Sequence, residues 1–313
     1  MIDERNSYDC LSTPIPPKAT DFAPKKKQKH TSVKAKRFLG NTAAHTILTV
    51  LSVIWIVPLF YLFIHSFRAE KGVVCSTFFP KTWTLDNYVR LFTDTPFLRW
   101  YGNTLLVAVC SCIITTIFVL MTSFVLSRIR FKARKPLMNV MLIMGMFPGF
   151  MSMTAIYFLL KILLPNNYQS HLSLIIVSSA GAALSYYICK GFFDTVPHSL
   201  DEAAKIDGAS NARLFVDIIL PLSKPIIIYT ILISFTAPWC DYIFSSFILS
   251  GVSDTGKYTV ALGMYKWLER EQVYQYFTTF CAAAVVVAVP ITILFMLLQR
   301  YYVEGITGGS VKG

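Results

Sequence analysis

Long uncharged stretches alternate with short polar segments through most of the 313-residue chain. Residues 38–67, 102–127, 136–160, 162–189 and 272–299 contain no Asp, Glu, Lys or Arg, and 225–240 is a shorter run that continues apolar past Asp241. A helix that crosses a bilayer needs ~20 predominantly apolar residues. The pattern therefore predicts six spans, centred near Ile54, Ile114, Met146, Val177, Ser234 and Val287. The expected fold class is all-α and polytopic, with a membrane domain over 38–313. Pro148, in the third span, has no N–H and should kink that helix. The kink reads either as a gate hinge or as packing geometry, since neighbouring helices can satisfy the freed carbonyl. Asp241 lies ~24 Å along the fifth span at ~1.5 Å per residue from Pro225, past the midplane. A carboxylate at the bilayer centre costs ~2.5–3.5 kcal/mol on insertion scales. Asp241 should therefore face a hydrated cavity or a partner helix, which leaves a pathway contact and an interhelix hydrogen bond both open.

Composition agrees: 54% of residues are hydrophobic and only 15% charged, too few charges for an ordinary soluble domain. The net charge of +12 raises nucleic acid as a partner, and its distribution argues against that. Counted by alternating loops, 20 of the 29 Lys and Arg fall on one side of the predicted membrane. Cationic loops stay cytoplasmic, so both termini and the loop 194–224 should lie inside. Residues 1–37 carry Pro14, Pro16, Pro17, Pro24 and the Lys25-Lys26-Lys27 cluster. They should form a disordered basic cytoplasmic arm that lies near anionic lipid. They lack the early apolar core of a cleavable signal peptide.

The residues that carry reaction chemistry do not assemble. The seven cysteines show no C-x-x-C and fall mostly within or at the ends of spans, where Cys acts as a small hydrophobe. The five histidines are scattered, so no catalytic residue and no metal set is expected. Gly251-x-x-x-x-Gly256-Lys257 begins like a phosphate-binding loop, but Tyr258 stands where a Ser or Thr should hold magnesium, and no strand precedes it. It reads as a turn-rich outer loop.

The loop 194–224 is the most informative stretch. Ser199 and Glu202 have capping-box spacing, which predicts a short helix from Leu200. Gly208 can take the left-handed conformation that ends such a helix. Ser210 can cap a second helix running through Phe215 and Ile219 to Pro221. Ala203 and Ala204 leave little bulk where another protein can approach. On the other side, loop 67–101 holds Trp83-Thr84-Leu85-Asp86-Asn87-Tyr88, read as a turn and then a short amphipathic helix capped by Thr84. The chain ends in Gly305-Ile306-Thr307-Gly308-Gly309-Ser310-Val311-Lys312-Gly313, read as a flexible tail over 299–313 once the sixth span ends near Leu298.

The run Glu-Ala-Ala-Lys-Ile-Asp-Gly-Ala-Ser-Asn-Ala-Arg-Leu-Phe over 202–215, closing in Leu220-Pro221-Leu222, resembles the cytoplasmic coupling loop of binding-protein-dependent ABC importer permeases. The Trp83–Tyr88 segment, Asn103-Thr104, Ala282-Ala283-Ala284, Pro290-Ile291-Thr292 and the C-terminus resemble the carbohydrate branch, in particular its smaller six-span maltose/maltodextrin-type subunit. The resemblance covers roughly residues 45–313, and the long N-terminal extension departs from it.

Membership implies a type I ABC importer permease fold working by alternating access. Ser199, Glu202, Ala203, Ala204, Asp207, Gly208 and Pro221 would dock on an ATPase subunit, and Thr307, Gly308, Gly309, Val311, Lys312 and Gly313 would reach the ATPase pair. It implies a second permease subunit, two ATPase subunits, an extracytoplasmic solute-binding protein and a sugar substrate. This chain would bind no cofactor itself, ATP and magnesium residing on the partners. An importer of a different solute stays open, as does a secondary transporter. The latter would need paired ionisable groups at the midplane, where only Asp241 comes near.

Overall fold

The computed structural model describes residues 30–72, 77–146, 149–181, 183–249 and 251–308, with side chains described over 40–300 apart from residue 150. Every regular element among them is helical, and their only extended pairing is an isolated bridge between Arg68 and Trp83.

The chain divides at Pro58 into two units. In the first, the described residues form the start of helix α1 (His30–Ser66). The helix thus begins inside the arm expected to be disordered over 1–37. Lys34, Ala35, Lys36 and Arg37 are good helix formers, and no proline occurs between Pro24 and Pro58 to stop them. Residues 1–29 lie outside the described residues.

The second unit, from Pro58, holds α2 (Asp86–Thr93), α3 (Phe97–Arg128), α4 (Arg134–Met146), α5 (Gly149–Leu163), α6 (His171–Ala180), α7 (Ala183–Phe193) and α8 (His198–Ile206). There follow α9 (Asn211–Arg213), a π-helical stretch Leu214–Ile219, α10 (Leu220–Leu222), α11 (Lys224–Cys240), α12 (Ile243–Leu249), a 3-10 turn at Thr255–Lys257, α13 (Val260–Lys266) and α14 (Val273–Gly308).

Three stretches are long and apolar enough to cross a membrane unbroken: Gly40–Ser66, Phe97–Arg128 and Val273–Arg300. Three bent pairs bring the number to six if each is one span. The third expected span is a pair, α4 and α5, whose axes differ by 108°. The break between them contains Phe147 and Pro148, which lie outside the described residues. The fourth turns by 42° between α6 and α7, and the helical run 211–222 meets α11 at 83°. The expected bend in the third span is thus present, while the turn within the fourth was not expected, because hydropathy over a window records burial in lipid and not axial continuity.

Helix α3 is the packing axis of the second unit, lying against α6, α7, α11 and α13. One hydrophobic core gathers around Trp100, Val107, Ile248, Leu262 and Ala282. The other gathers around Val119, Phe124, Phe193, Leu214 and Ile219, at the Arg128 end of α3.

The last span outruns its expected end. Residues 299–308 continue α14, so Thr307 and Gly308 are helical. As helix these ten residues advance ~15 Å. The run Gln299-Arg300-Tyr301-Tyr302-Val303-Glu304 contains no helix breaker, and an isolated Gly305 costs only ~1 kcal/mol relative to alanine. Gly309, Val311, Lys312 and Gly313 lie outside the described residues.

Candidate functional site

The loop 194–224 begins as expected and then departs in detail. Helix α8 starts at His198, two residues earlier than the capping box predicts, with Pro197 at its N-cap and no side-chain cap. Ser199 therefore sits inside the first turn and Glu202 is an exposed helical residue. Pro197 has φ −58° and ψ 131°, and its carbonyl accepts from the Leu200 amide at 3.3 Å. A proline at the cap sets the chain direction without a hydroxyl, so the capping role of Ser199 is unused.

The far end of α8 closes as the sequence indicates. Gly208 has φ +78°, the left-handed region that favours glycine. The Gly208 amide donates to Lys205 O at 3.1 Å and the Ala209 amide to Ala204 O at 2.9 Å. Together these bonds form a Schellman motif. Ser210 then caps the next helical run, its hydroxyl accepting from the Arg213 amide at 3.3 Å. Within that run the Leu220 amide donates five residues back to Phe215 O, the π-type bond, just before the exposed Pro221.

The two alanines do not share a face. Ala203 is exposed, whereas Ala204 is buried in the inner core with Leu214 and Ile219. Successive helical residues point ~100° apart, so only one of them can meet a partner. The outward face carries Glu202, Ala203, Asp207 and Gly208, with Ile206 86% exposed.

The group that fixes α8 was not singled out from sequence. The Arg128 side chain, the last of α3, is 2% exposed and reaches four acceptors. Its Nη2 donates to Phe193 O at 2.7 Å and Val196 O at 2.9 Å, carbonyls at and just beyond the end of α7. Its Nη1 donates to Asp201 Oδ2 at 2.9 Å and meets His198 Nδ1 at 2.7 Å, both in the first turn of α8. A guanidinium only donates, so Nδ1 is the acceptor there. One residue earlier, the Ser127 hydroxyl donates to Asp194 Oδ1 at 2.6 Å, and Lys190 pairs with the other oxygen of that carboxylate. Three separate elements are thus tied at one point. A cation near helix-terminal carbonyls is favoured by the helix dipole, and the charge-assisted bond from Nη1 to the Asp201 carboxylate is stronger than a neutral one.

Beside this knot lies a polar hollow of about 630 Å³, lined by Arg130, Arg134, His198, Glu202, Lys205 and Asn211 among others. Among the described residues no group of three or more His, Cys, Asp or Glu is placed to hold a metal ion. What the arrangement offers is a rigidly mounted short helix with a sparse, partly charged face.

Asp241 stands elsewhere, at a break in the fifth span between α11 and α12. Its Oδ1 accepts from the Phe244 amide at 3.0 Å and its Oδ2 from the Ser245 hydroxyl at 3.4 Å. It also lines a smaller hollow of about 270 Å³ with Thr115, Ser178, Ser185 and Ser234. The carboxylate thus caps the helix that resumes and lines a hollow at the same time.

At the other end of α3, Asn103 and Thr104 hold the loop before α13. Asn103 Nδ2 donates to Gly256 O at 2.8 Å and Tyr258 O at 3.0 Å, and Thr104 Oγ1 accepts from the Val260 amide at 2.8 Å. The phosphate-loop look-alike at 251–257 is accordingly a stapled turn. Thr84 accepts from the Asp86 amide at 3.0 Å, one residue outside the formal cap of α2.

Residues 119–308 match the family model described as binding-protein-dependent transport system inner membrane component. The chain is 35% identical to the maltodextrin transport system permease protein MdxG of Bacillus subtilis (strain 168), over 88% of this chain and 98% of that protein. It is 33% identical to the galactooligosaccharides transport system permease protein GanQ of the same organism, over 90% and 99%. Among solved structures, a bacterial ABC transporter involved in the import of the acidic polysaccharide alginate superposes with a TM-score of 0.72 at 20% identity, covering 86% of this chain and 98% of that one. That likeness carries the fold.

Proposed function

The chain belongs to the binding-protein-dependent transport system inner membrane components, and on that premise we propose that it is the smaller permease subunit of a sugar or oligosaccharide ABC importer. A second permease subunit completes the pathway, two ATPase subunits bind ATP and magnesium, and an extracytoplasmic binding protein delivers the solute. Both termini and α8 face the cytoplasm. ATP-driven closure of the ATPase pair moves α8, and α8 moves the spans it is tied to, turning the cavity from inward-facing to outward-facing. Such a device need only bias two states that differ by a few kcal/mol.

The observation that carries this reading is the mounting of α8. Its outer face is exposed while its first turn is bonded to Arg128, the end of the central helix α3. A push on Glu202, Ala203, Asp207 and Gly208 is therefore delivered to α3. The carbohydrate assignment is supported by the relatives' transported classes, maltodextrin and galactooligosaccharides, along nearly their whole length.

The test uses the complex reconstituted with its partner subunits and binding protein. ATP-dependent uptake of maltotriose or galactobiose is expected in the wild type. Glu202→Lys and Gly208→Val should abolish uptake and release the ATPase subunits while the permease remains inserted. A full complement of ATPase with normal uptake in both variants overturns the docking role. Orientation is checked on intact cells after removal of native cysteines, with Thr255→Cys reacting with an impermeant thiol reagent and Lys132→Cys reacting only after permeabilisation.

A further inference from the structure

Irregular backbone is tolerated at membrane depth only where it is buried in protein or lines a water-filled cavity, because lipid cannot bond a free N–H or C=O. Two spans here break away from their ends. The fourth turns by 42° near Gly181, and the fifth stops at Cys240 and resumes at Ile243. Gly181 and Asp241 both line the same hollow of about 270 Å³, together with Thr115 from near the middle of the 32-residue α3. Two interruptions and one mid-helix hydroxyl thus converge on one small space.

The chemistry of its wall is specific. It presents one carboxylate, Asp241, and four hydroxyls, those of Thr115, Ser178, Ser185 and Ser234. The Asp241 oxygens accept from the Phe244 amide and, at a long 3.4 Å, from the Ser245 hydroxyl, which leaves lone pairs unused. Thr115 is 5% exposed and its Oγ1 is buried without a hydrogen-bond partner among the described residues. That oxygen is shut off from water-sized groups, which leaves the three serines to supply hydroxyl contacts in the hollow. The Ser234 hydroxyl donates to Thr230 O at 2.7 Å and keeps its acceptor capacity. The wall also includes Val177, Ile233, Ala237 and Phe244.

We propose that this hollow is a saccharide subsite contributed by the present subunit, in which Asp241 accepts from sugar hydroxyls and the Ser178 and Ser185 hydroxyls complete the contacts. The proposal rests on the sugar-importer reading above. A neutral polyol fits the wall better than a cation does. Ca²⁺ takes six to eight oxygen ligands, whereas one carboxylate among hydroxyls matches a ring that both donates and accepts. The aliphatic and aromatic wall residues meet the C–H surface of that ring. The volume lies just under the ~300–1,000 Å³ of an ordinary ligand pocket, so the subsite takes one ring or the end of a longer chain.

The test uses the whole complex in detergent without ATP, with the native cysteines of this chain replaced. Ser178→Cys is labelled by a small neutral thiol reagent with and without ~50 mM maltotriose, and Ile117→Cys, exposed on α3, is the reference. Labelling at Ser178→Cys should slow about sixfold, as that concentration does for a site of ~10 mM affinity, while Ile117→Cys is unaffected. Adding Asp241→Asn, or Ser185→Ala should Asp241→Asn fail to assemble, should abolish the protection. Unprotected Ser178→Cys in a complex that transports maltotriose overturns the subsite alone, as does protection that survives both second substitutions. A wild-type complex that takes up neither maltotriose nor galactobiose overturns the sugar reading, and the subsite with it.

Discussion

Helix α3 fixes a loop at each of its ends, and it uses opposite chemistry to do so. At the Arg128 end a single buried guanidinium gathers two carbonyls, a carboxylate and an imidazole from α7, α8 and the turn between them. At the Trp100 end the anchors are neutral. The Trp100 indole donates to Thr255 O at 2.7 Å, Asn103 bonds two carbonyls of the same turn, and Trp100 packs against Trp267 with ring centroids 5.1 Å apart. Helix α13 comes so close to Trp100 that a Cβ on Gly263 would lie 2.2 Å from the indole ring. The charged knot depends on one residue and is stiff only while complete. The neutral contact is spread over several groups, each worth little. An element that must transmit force suits the first, and a loop that needs only to stay in place suits the second.

The contrast is broken most sharply at Arg128. Arg128→Met leaves Asp201 buried without its cation, a change that costs ~3–5 kcal/mol when one partner of a buried pair is removed. The ATPase subunits should be lost on purification while the six spans remain inserted. The double variant Arg128→Met with Asp201→Leu removes the stranded charge and should recover part of the complex's thermal stability. If Arg128→Met alone retains a full complement of ATPase, the knot does not mount α8.

At the opposite end, Gly263→Ala drives a methyl into Trp100, an overpacking that costs ~1–3 kcal/mol. The outer turn should loosen, seen as faster thiol labelling at Thr255→Cys, with ATPase content unchanged. Unaltered labelling would mean the indole is not what holds the turn. Asn103→Ala removes two neutral hydrogen bonds, worth about 0.5–1.5 kcal/mol each. It should give the same phenotype more weakly, measured as a smaller rise in the labelling rate. The least effect is expected from deleting residues 307–313. It trims only the last two described residues of α14 and those beyond, and should modestly lower solute-stimulated ATP hydrolysis through lost contact with the ATPase pair. Equal assembly and equal hydrolysis would leave the C-terminus without a coupling role.

The sequence was legible wherever the information is local. Gly208 ends α8 because only a residue free of a Cβ takes φ +78° without strain, and Ser210 caps its neighbour through a bond three residues long. The order of residues around 202–215 likewise pointed to the family that the chain belongs to. The capping box at Ser199 and Glu202 failed because a competing local signal, Pro197, stands one residue before the helix. The flexible tail was overdrawn at Thr307 and Gly308, where glycine content outweighed the helix-compatible run from Gln299 to Glu304.

By itself, then, the sequence determined the membrane character, the six apolar segments and the turn chemistry of the loop 194–224. Each follows from composition or from neighbours a few residues apart. Only the tertiary structure decided which charge mounts the loop, which hydroxyls share a hollow with Asp241, and where the apolar segments break. Arg128 meets its partners 65 to 73 residues further along the chain. Nothing in a lone arginine at the end of an apolar run distinguishes a cation in the headgroups from one buried among carbonyls. That choice is made by how α3 packs on α7 and α8, because only packing removes the water that would otherwise compete for the guanidinium.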